Sequence, residues 1–209
     1  MLEQIEESID GPFTPGPDRA LRFFCLDLVK IKIVVLGQDP YPQPGAATGR
    51  AFEVGGLTDW SRSFRQSSLK NIVRNIHASY TGRGPATFAE IRGELDAGVF
   101  LLPPPDKIFD HWQRQGVLCL NTAFTCAAGS PGSHAALWKP FSDRLIRYIA
   151  DKNKSAVWFL WGVAARAYEG FLGGAAVYKC NHPMLPGSGA NGFLNCACFK
   201  ETKDIVDWI

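Results

Sequence analysis

Four short apolar runs place the strongest constraint on how this chain folds. They are KIVVLG (32–37), VLCLNT (117–122), AVWFLW (156–161) and AVYKC (176–180). Each is rich in β-branched and aromatic residues and lacks strict alternation of apolar and polar positions, which is typical of strands buried on both faces of a parallel sheet. Segments of helical character separate them. The sequence therefore predicts an α/β fold with a central four-stranded parallel sheet and helices on both faces.

Three of the separating segments are predicted to be helices. SSLKNIVRNIHASY (67–80) repeats apolar residues at the spacing of one helix face, with Ser67 or Ser68 as its N-cap. FSDRLIRYIADK (141–152) shows the same pattern. VAARAYEGFLGG (163–174) ends on a glycine pair that suits a helix C-cap.

Length and composition favour one globular domain over residues 1–209. Hydrophobic residues make up 46% of the chain and charged residues 20%, which argues against disorder. A formal net charge of +2 permits nucleic-acid binding only through a local patch. No apolar run approaches the ~20 residues of a membrane helix, and the acidic N-terminus lacks a secretory-signal pattern. We expect a cytoplasmic monomer that does not bind a membrane.

The cysteines and histidines show no metal-binding pattern. None of the six cysteines forms a C-x-x-C motif, and the four histidines are scattered. Free thiols in a reducing compartment are the expected state of these cysteines. We expect neither a metal nor a cofactor.

Polar or turn-forming residues follow each predicted strand. Asp39 and Tyr41 follow the first, Asn121 ends the second, and His182 follows the fourth. Ligands of open α/β sheets bind outside the carboxyl ends of the strands, so we expect these side chains to meet at one edge. Each alone has an ordinary interpretation as a helix cap or turn residue. Their coincidence at equivalent strand ends favours a functional site.

The chemistry of this set suits cleavage of an N-glycosidic bond. The amide of Asn121 can pair with the N–H and C=O edge of a pyrimidine. Tyr41, between prolines, would form a rigid wall, and Phe52 a stacking surface. Asp39 can orient a water or stabilise a developing cation, while His182 can donate a hydrogen bond to a developing anion. A duplex would have to flip its base out to reach such a pocket.

Several motifs resemble those of uracil-DNA glycosylases of the widespread metal-free branch. Between residues 31 and 200 they occur in that family's order: GQDPYP, GAATGRAF, SSLKNI, WQRQGVLCLNTAFT, FLWG and HPMLPG. The resemblance implies a uracil-DNA glycosylase-like fold. It also implies a monofunctional DNA repair enzyme that flips uracil out of single- or double-stranded DNA, hydrolyses its N-glycosidic bond and leaves an abasic site.

The resemblance implies a role for each matching residue. Asp39 would orient the attacking water and stabilise the cationic sugar, and His182 would hydrogen-bond the uracil oxygen that becomes negative. The implied substrate-binding residues are Gln38, Tyr41, Phe52 and Asn121. The resemblance implies that Ser68 contacts a backbone phosphate, and the other candidate DNA-binding residues are Ser67, Met184, Leu185 and Ser188.

Four places depart from the family pattern. Gln66-Ser67-Ser68-Leu69 stands where the family's first loop reads Pro-Pro-Ser-Leu. Pro42 stands where the family usually has His, and Val163 stands where it normally has Ser. HPMLPGS (182–188) replaces a His-Pro-Ser-Pro-Leu-Ser sequence. Two serines that would contact DNA phosphates are thus missing from their places, and Ser67 or Ser188 are the candidates to replace them.

The apolar wedge that fills the gap left by a flipped base is also altered. Leu185 is the first candidate for it and Met184 the second, and the alternative is that both pack on their own loop. Two other functions stay open. One is a module that binds uracil-containing or abasic DNA with little turnover, against which Asp39 argues. The other is a glycosylase for a different damaged base, which Tyr41 and Asn121 disfavour.

Overall fold

A computed structural model describes residues 1–185, 187 and 189–209. The strands are β1 (Phe13–Thr14), β2 (Ile33–Gly37), β3 (Val117–Asn121), β4 (Cys126–Ala127), β5 (Val157–Trp161) and β6 (Val177–Cys180). The helices are α1 (Leu2–Glu7), α2 (Pro17–Ala20), α3 (Ser67–Thr81), α4 (Phe88–Asp96), α5 (Pro105–Arg114), α6 (Ala135–Lys152), α7 (Val163–Arg166) and α8 (Cys198–Glu201). None of the helices in this described part of the chain is long and apolar enough to cross a membrane.

The central sheet confirms the predicted fold class. It has four strands in the order β3-β2-β5-β6, and every neighbouring pair is parallel. Its strands are the four apolar runs of the sequence. A two-stranded antiparallel pair of β1 with β4 was not predicted, because each of those strands is only two residues long.

Helices cover both faces of the sheet, as predicted. Alternate residues of β2 point to opposite sides, since side chains alternate along a strand. Ile33 and Val35 join one buried cluster with α3, α4 and α5, whereas Val34 and Leu36 join another with α6. Burial on both sides explains why the strand sequences are continuously apolar.

The helix predictions were only partly correct. The helix expected over 67–80 is α3, but its N-cap is Gln66, without a side-chain capping bond, rather than Ser67 or Ser68. α6 begins at Ala135, before the predicted 141–152, and accommodates Pro140 in its second turn. The single helix expected over 163–174 was wrong. That segment is α7 followed by a 3₁₀ turn at Glu169–Phe171, because the chain has to reach β6 within a few residues.

The connections of the sheet create a crevice at the carboxyl end of β2. From β2 the chain goes through α3, α4 and α5 to β3 on one side, and then crosses through α6 to β5 on the other. Such a reversal separates the two neighbouring loops and leaves room between them. The loops after β2, β3 and β6 border this crevice.

Candidate active site

A cavity of about 510 Å³ occupies the crevice at the carboxyl edge of the sheet. Its lining includes the side chains singled out from the strand ends and the Phe52 turn: Asp39, Tyr41, Phe52, Asn121 and His182. Gln38 also lines it. The sheet therefore brings these residues together as expected, while the role of each stays a prediction.

A second, larger cavity lies at the opposite edge of the sheet. Its volume is about 680 Å³, and its lining includes the residues that enter β2 and β3, such as Lys32 and Gly116. The strand-end polar residues are far from it, at the other end of the same strands. We place the candidate active site in the smaller cavity because the converging chemistry is there.

Asp39 lies in the turn that follows β2 and faces the cavity. Its Oδ2 accepts a hydrogen bond from the backbone N–H of Gly132 at 3.0 Å. Burial raises the pKa of the Asp39 carboxyl above its ordinary 3.8, and the Gly132 bond opposes that rise. The structure thus holds a partly desolvated carboxylate in one orientation.

The Pro-Tyr-Pro turn is pinned to its surroundings by backbone hydrogen bonds. The carbonyl of Gln38 accepts from Ala123 N at 2.8 Å and from Thr122 Oγ1 at 2.9 Å. The carbonyl of Pro42 accepts from Gly129 N at 2.9 Å. The chain that follows β3 therefore fixes the turn that carries Asp39 and Tyr41.

Tyr41 and Phe52 form a partly buried aromatic wall. The Tyr41 hydroxyl donates to the carbonyl of Phe52 at 3.4 Å, and burial raises the pKa of Tyr41 so that it stays neutral. The Phe52 ring lies 5.4 Å from Trp161 and 5.9 Å from His182, measured between ring centroids. These contacts leave a flat, confined surface next to the histidine.

The backbone of Phe52 is unusual. Its φ is 68°, in the left-handed region that a phenylalanine rarely adopts. A conformation of this kind costs on the order of 1–3 kcal/mol and persists only where neighbouring structure enforces it. No pattern in the sequence signals this feature, because it depends on what holds residues 50–53.

Asn121 is the buried last residue of β3, and Gly37 lies opposite it in the sheet. A Cβ atom built on Gly37 would overlap the Asn121 side-chain oxygen and would lie 2.8 Å from Ala51 Cβ. The strand therefore ends in glycine because the amide of Asn121 occupies the space of a side chain.

We expect Gly37→Ala to displace the Asn121 amide and to lower kcat/KM for uracil release on the order of 10- to 100-fold. The helical Gly93 has open space within 4 Å of the point where a Cβ would lie, so Gly93→Ala is the matched control and should leave the rate unchanged. Unchanged activity in Gly37→Ala would mean that Asn121 does not need this position.

His182 lies just after β6 and over Gly162. Its Nδ1 accepts a hydrogen bond from Met184 N at 3.1 Å, so the proton of the neutral ring is on Nε2. Burial lowers the pKa of His182 below its ordinary 6.5, which favours this neutral form. Gly162, at φ 88°, lets the chain pass beneath the ring, where a Cβ would lie 3.0 Å from His182 Cβ.

The structure places three of the residues expected to contact DNA at the cavity. Ser67, Ser68 and Met184 line the cavity. Met184 and Leu185 are 57% and 64% exposed, so neither is packed away on the loop. Ser188 lies outside the described residues.

Two parts of the site were not predicted from the sequence. Gly132, which holds Asp39, is 93 residues away along the chain, and no local pattern connects the two. Arg50, which was not selected, lines the cavity with its side chain only 7% exposed and paired with carboxylates. The signal available in the sequence for a role of Arg50 was the pair of opposite charges, Arg50 and Glu53, that flanks Phe52.

Solved structures share this fold. The wild-type UNG of Nitratifractor salsuginis has a TM-score of 0.73 and 22% identity, over 98% of this chain and 84% of that one. The uracil-DNA glycosylase of mimivirus has a TM-score of 0.63 and 23% identity, over 87% of this chain and 59% of that one. These likenesses define the fold as that of the uracil-DNA glycosylases.

Curated relatives establish the family, although no protein-family profile matches the chain. The uracil-DNA glycosylase of Fusobacterium nucleatum is 30% identical over 211 residues, which cover 99% of this chain and 82% of the relative. That of Salmonella arizonae is 33% identical over 93% of this chain and 76% of the relative. That of Coxiella burnetii is 34% identical over 84% and 67%. This chain belongs to the uracil-DNA glycosylase family.

Proposed function

We propose that this protein excises uracil from DNA by hydrolysing the bond between the base and the deoxyribose, and leaves an abasic site. Its family membership supports the reaction. The observation that carries the proposal to this chain is the convergence of Asp39, Asn121 and His182 on one cavity. Because the cavity is recessed, a uracil within DNA has to be flipped out to enter it.

The charges of the site match those that develop in the reaction. As the C1′–N bond breaks, its electron pair leaves with the base and the sugar becomes cationic. The Asp39 carboxylate stabilises the cation and orients the water that adds to C1′. His182 donates from Nε2 to the uracil oxygen on which negative charge collects. Both groups lie on the cavity wall, on loops from different strands.

Three side chains account for selection of the base. The Asn121 amide can donate and accept at the same time, which matches the adjacent C=O and N–H of uracil. Phe52 supplies a face for stacking. Tyr41, held through its hydroxyl by the Phe52 carbonyl, closes the side where thymine carries its methyl group. A wall that cannot move rejects the extra methyl by steric overlap.

The test is release of free base from a uracil-containing single-stranded oligonucleotide and from U·G and U·A duplexes, with oligonucleotides that carry thymine or hypoxanthine at the same position as matched controls. We expect release from uracil substrates only. Tight binding of uracil-containing or abasic DNA without release would favour the binding-module alternative. Faster release of thymine or hypoxanthine than of uracil would favour a different damaged base.

Pro42 lines the cavity in place of the family's usual histidine. We expect Pro42→His to raise turnover by about 2- to 10-fold, the effect of one additional hydrogen bond near the attacking water. Pro42→Ala is the control, since it removes the ring without adding a side-chain donor, and the backbone carbonyl that binds Gly129 N remains. Equal turnover in Pro42→His and the wild type would refute this role.

We also propose that the chain acts as one domain and as a cytoplasmic monomer. Both ends contribute to the buried clusters: Ile5 packs with Phe23, and Trp208 lies 5.5 Å from Trp112. One chain supplies every residue that we assign to the site. Light scattering of the active protein should give the mass of a single chain, and a dimeric mass would contradict the monomer.

A further inference from the structure

Arg50 is a buried cation whose guanidinium is held in three directions. Its Nε donates to Gln113 Oε1 at 2.8 Å, and one terminal nitrogen donates to Asp110 Oδ1 at 2.6 Å. The other donates to Glu53 Oε1 at 3.0 Å. The first two contacts anchor Arg50 to helix α5, and the third returns to its own turn.

Glu53 completes the closure of this turn. Its Oε2 accepts from the Thr48 hydroxyl at 2.5 Å, and Thr48 Oγ1 in turn accepts from Arg50 N at 3.3 Å. The Glu53 side chain is only 9% exposed, and its carboxylate is paired with Arg50 at 3.0 Å and with Arg22 at 3.5 Å. The ion pair of Arg50 with Glu53 thus spans Ala51 and Phe52.

Phe52 is one of those two residues, and it has the left-handed backbone. The other, Ala51, donates its N–H to the Cys119 carbonyl at 3.2 Å, which ties the turn to β3. The strained backbone of Phe52 therefore lies within the segment 50–53, whose two end residues form an ion pair. Hydrogen bonds also fix this segment to α5 through Arg50 and to β3 through Ala51.

We propose that Arg50 is a positioning residue that holds Phe52 in the orientation needed to stack on the uracil ring. The inference rests on the proposed function. Arg50 acts through the backbone of Phe52 and not by touching DNA, because three of its nitrogens already donate to protein acceptors. The guanidinium spreads its donors over three nitrogens in one fixed plane, so it reaches three acceptors that lie apart, whereas the three donors of a lysine ammonium all radiate from a single nitrogen.

The structure offers a matched control for the loss of charge. Arg22 approaches the same two carboxylates, Glu53 at 3.5 Å and Asp110 at 3.8 Å. Its side chain is 39% exposed, and its contacts with the turn that contains Phe52 are longer than those of Arg50, at 3.4 Å to the Thr48 carbonyl and 3.5 Å to Glu53. If Arg50 only balanced charge, substitution of either arginine should have a similar effect on uracil binding. If Arg50 positions Phe52, its substitution should have the larger effect.

The experiment compares Arg50→Met and Arg22→Met for kcat, KM and inhibition by free uracil. Loss of the Phe52 orientation removes stacking between the ring and the base, so it should raise the inhibition constant of uracil on the order of 10-fold. We expect this rise in Arg50→Met, together with a raised KM, and values within about twofold of wild type in Arg22→Met. A wild-type inhibition constant in a folded Arg50→Met protein would overturn the proposal.

A double-mutant cycle with Phe52→Ala separates positioning from general stability. If Arg50 acts through Phe52, Arg50→Met should have little further effect on uracil inhibition once the ring is gone. An equal loss in both backgrounds would show a purely structural role and overturn the inference. Glu53→Gln, which keeps the shape and weakens the pair, should give a smaller shift in the same direction and serves if Arg50→Met does not fold.

Failure of this inference is distinguishable from failure of the proposed function. A wild-type protein that releases no uracil from DNA would refute the proposed function. Calorimetric titration with free uracil still reports whether Arg50→Met weakens stacking in that case. If the wild-type protein is active but the effects of Arg50→Met and Phe52→Ala on uracil inhibition simply add, the role of Arg50 is refuted and the proposed function stands.

Discussion

Asp39→Asn is expected to lower turnover on the order of 10²- to 10⁴-fold. The substitution replaces the carboxylate by a neutral amide of nearly the same shape, whose oxygen can still accept from Gly132 N. It removes the negative charge that, in the proposed mechanism, stabilises the cationic sugar and orients the water. KM should change much less than kcat, because that interaction strengthens only as the bond breaks.

Asp59→Asn is the matched control for this substitution. Asp59 also accepts a backbone hydrogen bond, from Ser61 N at 2.8 Å, but it is not among the residues that line the cavity. Its variant should keep wild-type turnover. Near-wild-type turnover in Asp39→Asn would contradict the role assigned to Asp39, whatever the control does.

The same substitution should not weaken the fold. Burial raises the pKa of Asp39 above 3.8, so the charged form is disfavoured in the folded protein and reduces stability at neutral pH. Removing the charge should raise the free energy of unfolding at pH 7. This gain should vanish as the pH falls below 3.8, where Asp39 is protonated in both states. Urea denaturation at both pH values measures the difference.

His182→Ala is expected to lower turnover on the order of 10²- to 10³-fold, the usual cost of losing one preorganised donor to a developing anion. Because Nδ1 accepts a hydrogen bond from Met184 N, Nε2 is the donor of the His182 ring, which lies beside Phe52 in the cavity wall. His111→Ala is the control, since that histidine bonds Gln115 and the Asp207 carbonyl near the other edge of the sheet. Wild-type turnover in His182→Ala would refute the assignment.

The pH profile provides an independent check on His182. Its pKa lies below 6.5, so the ring is neutral at pH 7 and kcat/KM should stay level as the pH falls to about that value. At lower pH a second proton would go to Nδ1, where it opposes the Met184 N–H, and kcat/KM should fall. This acid limb should be absent from the residual activity of His182→Ala, which leaves only the limb from protonation of Asp39.

Local sequence patterns predicted the sheet and the main residues of the site. Strands β2, β3, β5 and β6 are short apolar runs that only burial on both faces explains, and parallel strands present their carboxyl ends at one edge. That rule was sufficient to predict that Asp39, Asn121 and His182 lie close together, as they do in the cavity. Helix boundaries were less predictable from local patterns. Pro140 lies inside α6 and does not mark its start, and the Gly173-Gly174 pair does not mark the end of α7, because tertiary packing sets both boundaries.

What the sequence by itself determined is therefore the four strands of the sheet, two of the helices in part, and the edge of the sheet at which the candidate site residues meet. These follow from periodicity and residue chemistry, which act over a few neighbouring positions. The tertiary structure alone decided the contact of Gly132 with Asp39, the proton on Nε2 of His182 and the left-handed Phe52 held by Arg50. Each of these depends on groups that folding places at hydrogen-bond distance, and the strain at Phe52 is tolerated because several such contacts oppose its relaxation.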